Sequence, residues 1–113
     1  MDQKQYVFPA RFVSEDNGSV SVYFPDLDGC QTYDDTMSGA AIMAKDALEG
    51  YIGTLLESDI PIPEPTDINK INSQDAIVMM VVADVANILK KTDRLKRRSV
   101  YQSGWIEKLR KLI

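Results

Sequence analysis

Four aspartates close together in the sequence are the residues of this chain whose type and spacing could support chemistry. They are Asp26, Asp28, Asp34 and Asp35. Clustered carboxylates hold Mg²⁺ in metal-dependent nucleases, so phosphodiester hydrolysis would be their chemistry. Each also has a structural explanation, because the first two flank a turn and the last two precede a helix start. No other catalytic group accompanies them, so the sequence predicts neither a catalytic residue nor a metal site.

The chain contains one cysteine, Cys30, and no histidine, which limits its other chemistry. A single cysteine allows no intramolecular disulfide and no cysteine-based metal site, and without histidine we do not expect zinc. A lone cysteine beside a turn is more often a small buried hydrophobe than a redox thiol, and no basic neighbour would lower its pKa. We therefore expect Cys30 to be buried, and we expect no cofactor.

Charge is distributed unevenly along the 113 residues, of which 44% are hydrophobic. Residues 1–89 hold 4 basic and 15 acidic side chains (−11), whereas residues 90–113 hold 9 basic and 2 acidic ones (+7). The length suits one main domain. We predict a binding domain over residues 1–90 and a basic segment over residues 91–113, which face different partners or each other. No signal-type or membrane-spanning apolar stretch is present, so we expect a cytoplasmic protein without a membrane partner.

The first elements that must position these residues form a predicted β-hairpin. Residues 6–13 are rich in aromatic and β-branched side chains, residues 15–18 form a turn signal that ends in glycine, and residues 19–25 alternate polar and apolar. The alternation predicts that Val20, Val22 and Phe24 line one face. Pro9 lies inside the first strand, so we expect a sheet edge or a bulge there.

A short third strand and one long helix are predicted next. Residues 30–33 suffice only for a short strand, and residues 37–56 carry apolar side chains at helical spacing. Thr36 or Asp35 is the expected N-cap. Prolines alternate over residues 60–66, which predicts an extended connector.

A continuous apolar run, residues 76–83, predicts a strand buried on both faces. The predicted fold is therefore α+β, a small antiparallel-rich sheet with one main helix packed on it. The second face of that strand needs a cover, and another subunit would supply it, so we expect a homodimer or higher oligomer. Asp84 is the expected cap of a short helix over residues 84–91, and residues 99–102 and 103–113 read as a short strand and a last helix.

Several motifs together resemble HicB antitoxins, the partners of HicA toxins in bacterial and archaeal toxin-antitoxin systems. The first is the block from Phe24 to Thr32, and Asp35-Thr36 follows it. An alanine-rich helix and the Ile-Pro-Ile-Pro-Glu-Pro segment at residues 60–65 complete the pattern. The resemblance covers about residues 5–90. Asp28, Asp34 and Ser38-Gly39 depart from the family's usual proline, glycine and acidic pair, and none of them removes the turn or the cap.

The resemblance implies a partial RNase H-like fold that covers an RNA-cleaving toxin, followed by a module that binds operator DNA. The segment from Lys96 to Ile106 looks like the strand and first helix of a ribbon-helix-helix, and the sequence ends at Ile113 before a second helix. The basic tail thus resembles an incomplete module. The expected partners are a HicA-like toxin and, if the tail contacts phosphates, operator DNA.

Two sets of residues are assigned as candidate sites, and each has an alternative. The toxin-binding set is Glu15, Asp16, Asp26 and Asp28. The DNA-binding set is Lys96, Arg97, Arg98, Tyr101 and Gln102. The acidic set could instead be an ordinary solvated surface, and the basic tail a solvated face beside an oligomer interface. The alternative functions are a non-enzymatic protein- or ligand-binding module of the same fold whose tail only mediates oligomerisation, and a residual metal-dependent nuclease.

Overall fold

The fold is a four-stranded antiparallel sheet in the order β3-β2-β1-β4, and its main helix packs on one face of the sheet. The computed structural model describes residues 5–96, with side chains for residues 5–90. The strands are β1 (Gln5–Ser14), β2 (Val20–Tyr23), β3 (Gln31–Asp34) and β4 (Ile77–Asp84), and the helices are α1 (Met37–Glu57) and α2 (Val85–Lys96). A 3₁₀ turn covers Ile68–Lys70. The predicted α+β class is confirmed.

The predicted hairpin forms between β1 and β2. Phe12 lies opposite Val22, and the turn is closed where Glu15 N–H donates to the Ser19 carbonyl at 2.8 Å. Gly18 takes a φ of 91°, a conformation that glycine adopts without the usual steric cost. The side chains predicted to line one face, Val20, Val22 and Phe24, are all buried.

Pro9 lies in an interior strand at a place where only one neighbouring strand is present. β1 stands between β2 and β4, but β2 pairs only with Arg11–Ser14. Pro9 itself faces Met80 of β4 and has no β2 residue on its other side. The missing N–H therefore costs no hydrogen bond to β2, and the expectation of a sheet edge holds locally.

β4 is the strand predicted from the apolar run, and the described residues of this chain cover one of its faces. It lies at the edge of the sheet, and Ile77 and Met80 are 54% and 42% exposed. Val81 and Ala83 are buried in the core shared with the helices. The second face of β4 was expected to be covered by another subunit, and that cover stays a prediction because the structure contains one chain.

α1 packs on the sheet through a stripe of small and aliphatic side chains. The Thr36 hydroxyl accepts from Gly39 N–H at 3.0 Å, so the predicted N-cap is confirmed. Burial of a side chain such as Leu48 or Ile52, both 0% exposed, contributes about 1.5–3 kcal/mol. The buried aliphatic residues of the helix are Ala40, Ala44, Leu48, Ile52 and Leu55.

α2 follows β4 directly and is longer than predicted. It runs from Val85 to Lys96 and so crosses the boundary between residues 90 and 91 that the charge shift suggested. Ile88 packs against α1, where a Cβ at Gly53 would lie 3.4 Å from the Ile88 Cγ2 atom. The strand predicted at residues 99–102 and the helix predicted at residues 103–113 lie outside the described residues. Among residues 5–96, neither helix is both long and apolar enough to cross a bilayer.

Candidate functional site

The four carboxylates assigned to toxin binding lie at opposite ends of β2. Glu15 and Asp16 are exposed in the turn between β1 and β2, and Asp26 and Asp28 lie in the turn between β2 and β3. β2 has four residues, so the two turns are separated by roughly 13 Å or more. The structure therefore brings the set together as two acidic pairs rather than as one cluster.

Asp26 holds the proline-rich connector to the sheet. Its carboxylate accepts from the Thr66 backbone N–H at 2.9 Å and from the Thr66 hydroxyl. Both oxygens are thus occupied by a residue distant in the sequence, and the connector is fixed where it passes the turn. Asp26 is half-buried and has a structural role.

The turn that carries Asp28 is tied to α1. The Tyr51 hydroxyl donates to the Asp28 backbone carbonyl at 2.7 Å, and Leu27 is buried beneath the turn. Gly29 has a φ of 82°, and Phe24 N–H donates to the Cys30 carbonyl at 3.1 Å. These bonds fix the backbone of the turn and leave the Asp28 side chain exposed.

Asp34 precedes the helix start, as predicted, and its side chain supports the N-cap residue Thr36 and is not itself the cap. Its carboxylate accepts from Thr36 N–H at 3.2 Å and from the Thr36 hydroxyl at 3.4 Å. A Cβ at Gly39 would overlap the Asp34 Oδ2 atom, so glycine leaves the space that this carboxylate fills. Among the described residues, no group of three or more Asp, Glu or Cys side chains is arranged to hold a metal ion.

Cys30 is buried, as predicted, beneath α1. It is 5% exposed, and its Sγ atom donates to the Ala47 carbonyl at 3.9 Å, a weak contact. Burial raises the pKa of the Cys30 thiol to about 11. A thiol that is neutral at physiological pH is a poor nucleophile, which agrees with a packing role.

A charged group that the sequence analysis missed lies between α1, β4 and α2. Glu49 is 4% exposed, and its Oε2 atom accepts from Asp84 N–H and from the Asn87 side-chain amide, both at 3.1 Å. Lys45 donates to Glu49 at 3.1 Å, to Asp84 at 2.8 Å and to the Val82 carbonyl at 3.0 Å. The i, i+4 spacing of Lys45 and Glu49 is visible in the sequence, but nothing local indicates partners in β4 and α2.

The hydrogen bonds of this network change the pKa values of two of its members. Burial alone would lower the pKa of Lys45, but hydrogen bonds to Asp84 and Glu49 raise it above its ordinary value. The Lys45 ammonium, with Gln5 as second donor, holds the pKa of Asp84 below its ordinary value. Asp84 was the expected cap of α2, but its carboxylate accepts from Lys45 and Gln5 in the structure.

The residues assigned to DNA binding fall at or beyond the end of the described chain. Lys96 is the last residue of α2, and its side chain is not described. Arg97, Arg98, Tyr101 and Gln102 lie outside the described residues.

Comparison with known proteins gives one family and several related structures. Residues 8–98 match the family described as HicB_like antitoxin of bacterial toxin-antitoxin system. An uncharacterized 14.9 kDa protein of Haemophilus phage HP1 is 31% identical over 83 residues, a match that covers 70% of this chain. It covers 62% of the phage protein, so the chain spans less than two thirds of that relative.

Two solved toxin-antitoxin complexes contain chains with the same fold. A chain of a toxin-antitoxin complex from Streptococcus pneumoniae is 24% identical with a TM-score of 0.69, and the match covers 83% of this chain and 88% of that one. A chain of a HicA3 and HicB3 toxin-antitoxin complex is 25% identical with a TM-score of 0.56, over 67% and 95% of the two chains. The HicB-like architecture implied by the resemblance is therefore confirmed for the sheet and α1.

Proposed function

This chain belongs to the HicB-like antitoxin family of bacterial toxin-antitoxin systems, and on that premise we propose that it binds a HicA-like, mRNA-cleaving toxin and neutralises it by covering its substrate groove. The observation that carries the proposal is the family match over residues 8–98. We take the action to be steric rather than enzymatic, because two of the carboxylates that could have held a metal, Asp34 and Asp26, instead bind Thr36 and Thr66. The complex forms in the cytoplasm, where mRNA is the target.

The acidic surface of the domain supports this choice of partner. An RNA-cleaving protein must present lysine and arginine to phosphates, and a carboxylate-rich partner attracts such a surface and competes with RNA for it. We assign Glu15, Asp16, Asp26 and Asp28 to toxin binding. We expect Asp26 to contribute least to the affinity, because its carboxylate already binds Thr66. The toxin-binding part extends over residues 1–90, and residues 91–113 form the basic segment.

Growth rescue tests the proposal directly. The toxin encoded by the reading frame beside this gene is expressed in a bacterial host with and without the full chain. We expect growth arrest from the toxin alone and recovery when the chain is present. An arrest that the chain does not relieve, at matched expression, would show that it is not the antitoxin of that toxin.

We further propose that the basic segment contacts operator DNA, so that the protein represses its own operon as a homodimer or higher oligomer. The net charge of +7 over residues 90–113 supports phosphate contacts. Lys96, Arg97 and Arg98 are assigned to the phosphates, and Tyr101 and Gln102 to base edges.

A gel-shift assay with the DNA upstream of the operon separates DNA binding from self-association alone. Neutralising residues 96–98 should weaken binding at least tenfold at moderate salt and reduce the salt dependence, because three phosphate contacts are lost. Light scattering on the same variant reports the oligomeric mass. Unchanged DNA binding would assign the tail to another role, and a lost oligomer would assign it to assembly.

A further inference from the structure

Two exposed tyrosines share the face of the sheet that α1 does not cover. Tyr23 of β2 lies opposite Gln31 of β3, and Tyr33 lies opposite Ser21, so these four side chains point to the same face. That face is opposite the buried Val20 and Val22. Tyr23 is 38% exposed and Tyr33 is 68% exposed, and with their neighbours they line a shallow groove of about 220 Å³.

The position of this groove at the edge of the sheet leaves it open to a partner. Among the strands of residues 5–96, β3 is the outermost on this side of the sheet and pairs with β2 alone. Tyrosine is enriched at the centres of protein interfaces, since it buries a large rigid ring and still presents a hydroxyl. We name this surface, formed by Ser21, Tyr23, Gln31 and Tyr33, the tyrosine face.

Among residues 5–90, carboxylates outnumber cations around the tyrosine face, and one cation, Arg11, lies opposite Tyr23 in β1. Residues 12–44 contain six carboxylates and no lysine or arginine. Glu15 and Asp16 lie at one end of β2 and Asp28 lies at the other, all exposed, and none of them forms an ion pair with a cation of residues 5–90. The neighbouring cation, Arg11, donates to the Asn72 and Gln74 carbonyls instead.

From this arrangement we infer that the tyrosine face is the docking surface for the lysine- and arginine-rich, RNA-binding surface of the toxin, with Tyr23 and Tyr33 at the centre of the contact. Guanidinium groups stack on the tyrosine rings, and the carboxylates at both ends of β2 pair with the surrounding cations. The inference rests on the proposed function and adds to it the surface and the chemistry of recognition. It also explains why the acidic pairs are useful although 13 Å or so of strand separates them.

A larger groove of about 620 Å³ lies elsewhere, between the first half of β1 and the connector. Gln5 to Phe8 and residues 59–65 line it, and Glu64 is an exposed carboxylate at its rim. The connector is held beside β1 through the bonds between Asp26 and Thr66, and its prolines carry no N–H with which to receive a strand. The tyrosine face has two exposed aromatic rings with carboxylates at both ends, so it is the better match for a basic protein.

The test is the affinity of the full chain for the toxin of the adjacent reading frame, made catalytically inactive. Tyr23→Ala combined with Tyr33→Ala should raise the Kd at least 30-fold, mainly through faster dissociation. Glu15→Lys combined with Asp28→Lys should slow association at least tenfold at low salt, and the defect should shrink at high salt. Thermal unfolding of each variant checks that the fold is retained.

Two matched controls lie away from the tyrosine face. Ile42→Ala removes an apolar side chain about as exposed as Tyr33, at 71%, from α1 on the opposite side of the sheet. Glu57→Lys combined with Glu64→Lys reverses two exposed charges at the end of α1 and at the larger groove. Both should leave the Kd within twofold of the wild-type value.

Four results would overturn the inference, and they are distinguishable. Tyrosine variants that fold and bind within twofold of the wild type, while the wild type binds, reject this surface and leave the antitoxin function standing. A larger loss from the Glu57 and Glu64 reversal moves the docking site to the larger groove. If the tyrosine variants change only the oligomeric mass, the tyrosine face is a contact between copies of this chain. A wild-type chain that does not bind the toxin rejects the proposed function, and the inference falls with it.

Discussion

Ionisable side chains are buried or paired with one another at one end of the sheet, and are neutral or exposed at the other end. Where α1, β4 and α2 meet, Glu49 is buried and its carboxylate, with that of Asp84, is paired with Lys45. At the β2–β3 end the buried ionisable group is the neutral thiol of Cys30, and the carboxylates of Glu15 and Asp28 are exposed. Charges at the first end hold elements of the fold together, whereas exposed charges at the second end are available to a partner.

The largest expected effect is the loss of the buried carboxylate at the first end. Glu49→Ala should reduce the free energy of unfolding by about 3 kcal/mol, because Asp84 N–H and the Asn87 amide lose their shared acceptor. Glu57→Ala, at an exposed position of the same helix, should change it by less than about 0.5 kcal/mol. Urea unfolding measures both. Equal midpoints for the two variants would mean that the network does not stabilise the fold and that the two ends do not differ.

The second prediction concerns the buried thiol of the other end. Burial raises the pKa of Cys30 from 9.0 to about 11, so the folded protein keeps its thiol proton at a pH where the unfolded chain loses it. This contribution to stability is complete below pH 9 and is lost as the pH rises through about 11. Two pKa units correspond to roughly 2–3 kcal/mol.

Unfolding of the wild type and of Cys30→Ala between pH 8 and pH 11 measures the contribution of thiol ionisation to stability. The variant loses packing at every pH, and titration of tyrosines and lysines affects both proteins, so only the difference in slope reports the thiol. We expect the wild type to lose more stability over this range. If the stability of both proteins changed equally with pH, the thiol would be hydrated in the folded protein and the β2–β3 end would not bury it.

The sequence predicted what depends on local spacing. The hairpin, the Thr36 cap and the buried stripe of α1 follow from residues that are neighbours in the chain, and the motif from Phe24 to Thr32 led to the correct family. The Glu49 network was missed because its parts come from α1, β4 and α2, and only the tertiary fold brings them together. The cover expected over the second face of β4 stays a prediction, since it would come from another subunit and not from this chain.

The candidate site was predictable in composition and not in arrangement. The sequence identified Glu15, Asp16, Asp26 and Asp28 by charge and by position in turns. It did not indicate that β2 separates them into two pairs or that Asp26 is occupied by Thr66, a residue 40 positions away. A carboxylate in a predicted turn can either anchor another segment of the chain or face a binding partner. Only the group that the carboxylate contacts in the folded protein distinguishes these two roles.

The third prediction compares two carboxylates of the turn between β2 and β3: Asp26, which binds Thr66, and Asp28, whose side chain is exposed. Asp26→Asn should cost about 1–2 kcal/mol, because the charge-assisted bonds to Thr66 are lost or weakened. Asp28→Asn should cost less than about 0.5 kcal/mol, since its side chain is exposed. Chemical unfolding of both variants makes the comparison. If Asp28→Asn were the more destabilising, the β2–β3 turn would depend on the carboxylate that we assign to the partner.

The smallest predicted effect is a coupling of about 1 kcal/mol between Asp34 and Gly39. Asp34 is a carboxylate of the β2–β3 end that stabilises the fold. Alanine is favoured over glycine in a helix by up to about 1 kcal/mol. Gly39→Ala should stabilise an Asp34→Ala background by less than this, because the added Cβ would still lie 3.0 Å from the Thr36 hydroxyl oxygen. In the wild type the added Cβ would meet the Asp34 carboxylate and break its bonds to Thr36, which cancels the gain. A double-mutant cycle measured by thermal unfolding gives the coupling. Additive effects would mean that Asp34 moves aside without cost and belongs with the exposed carboxylates of its end.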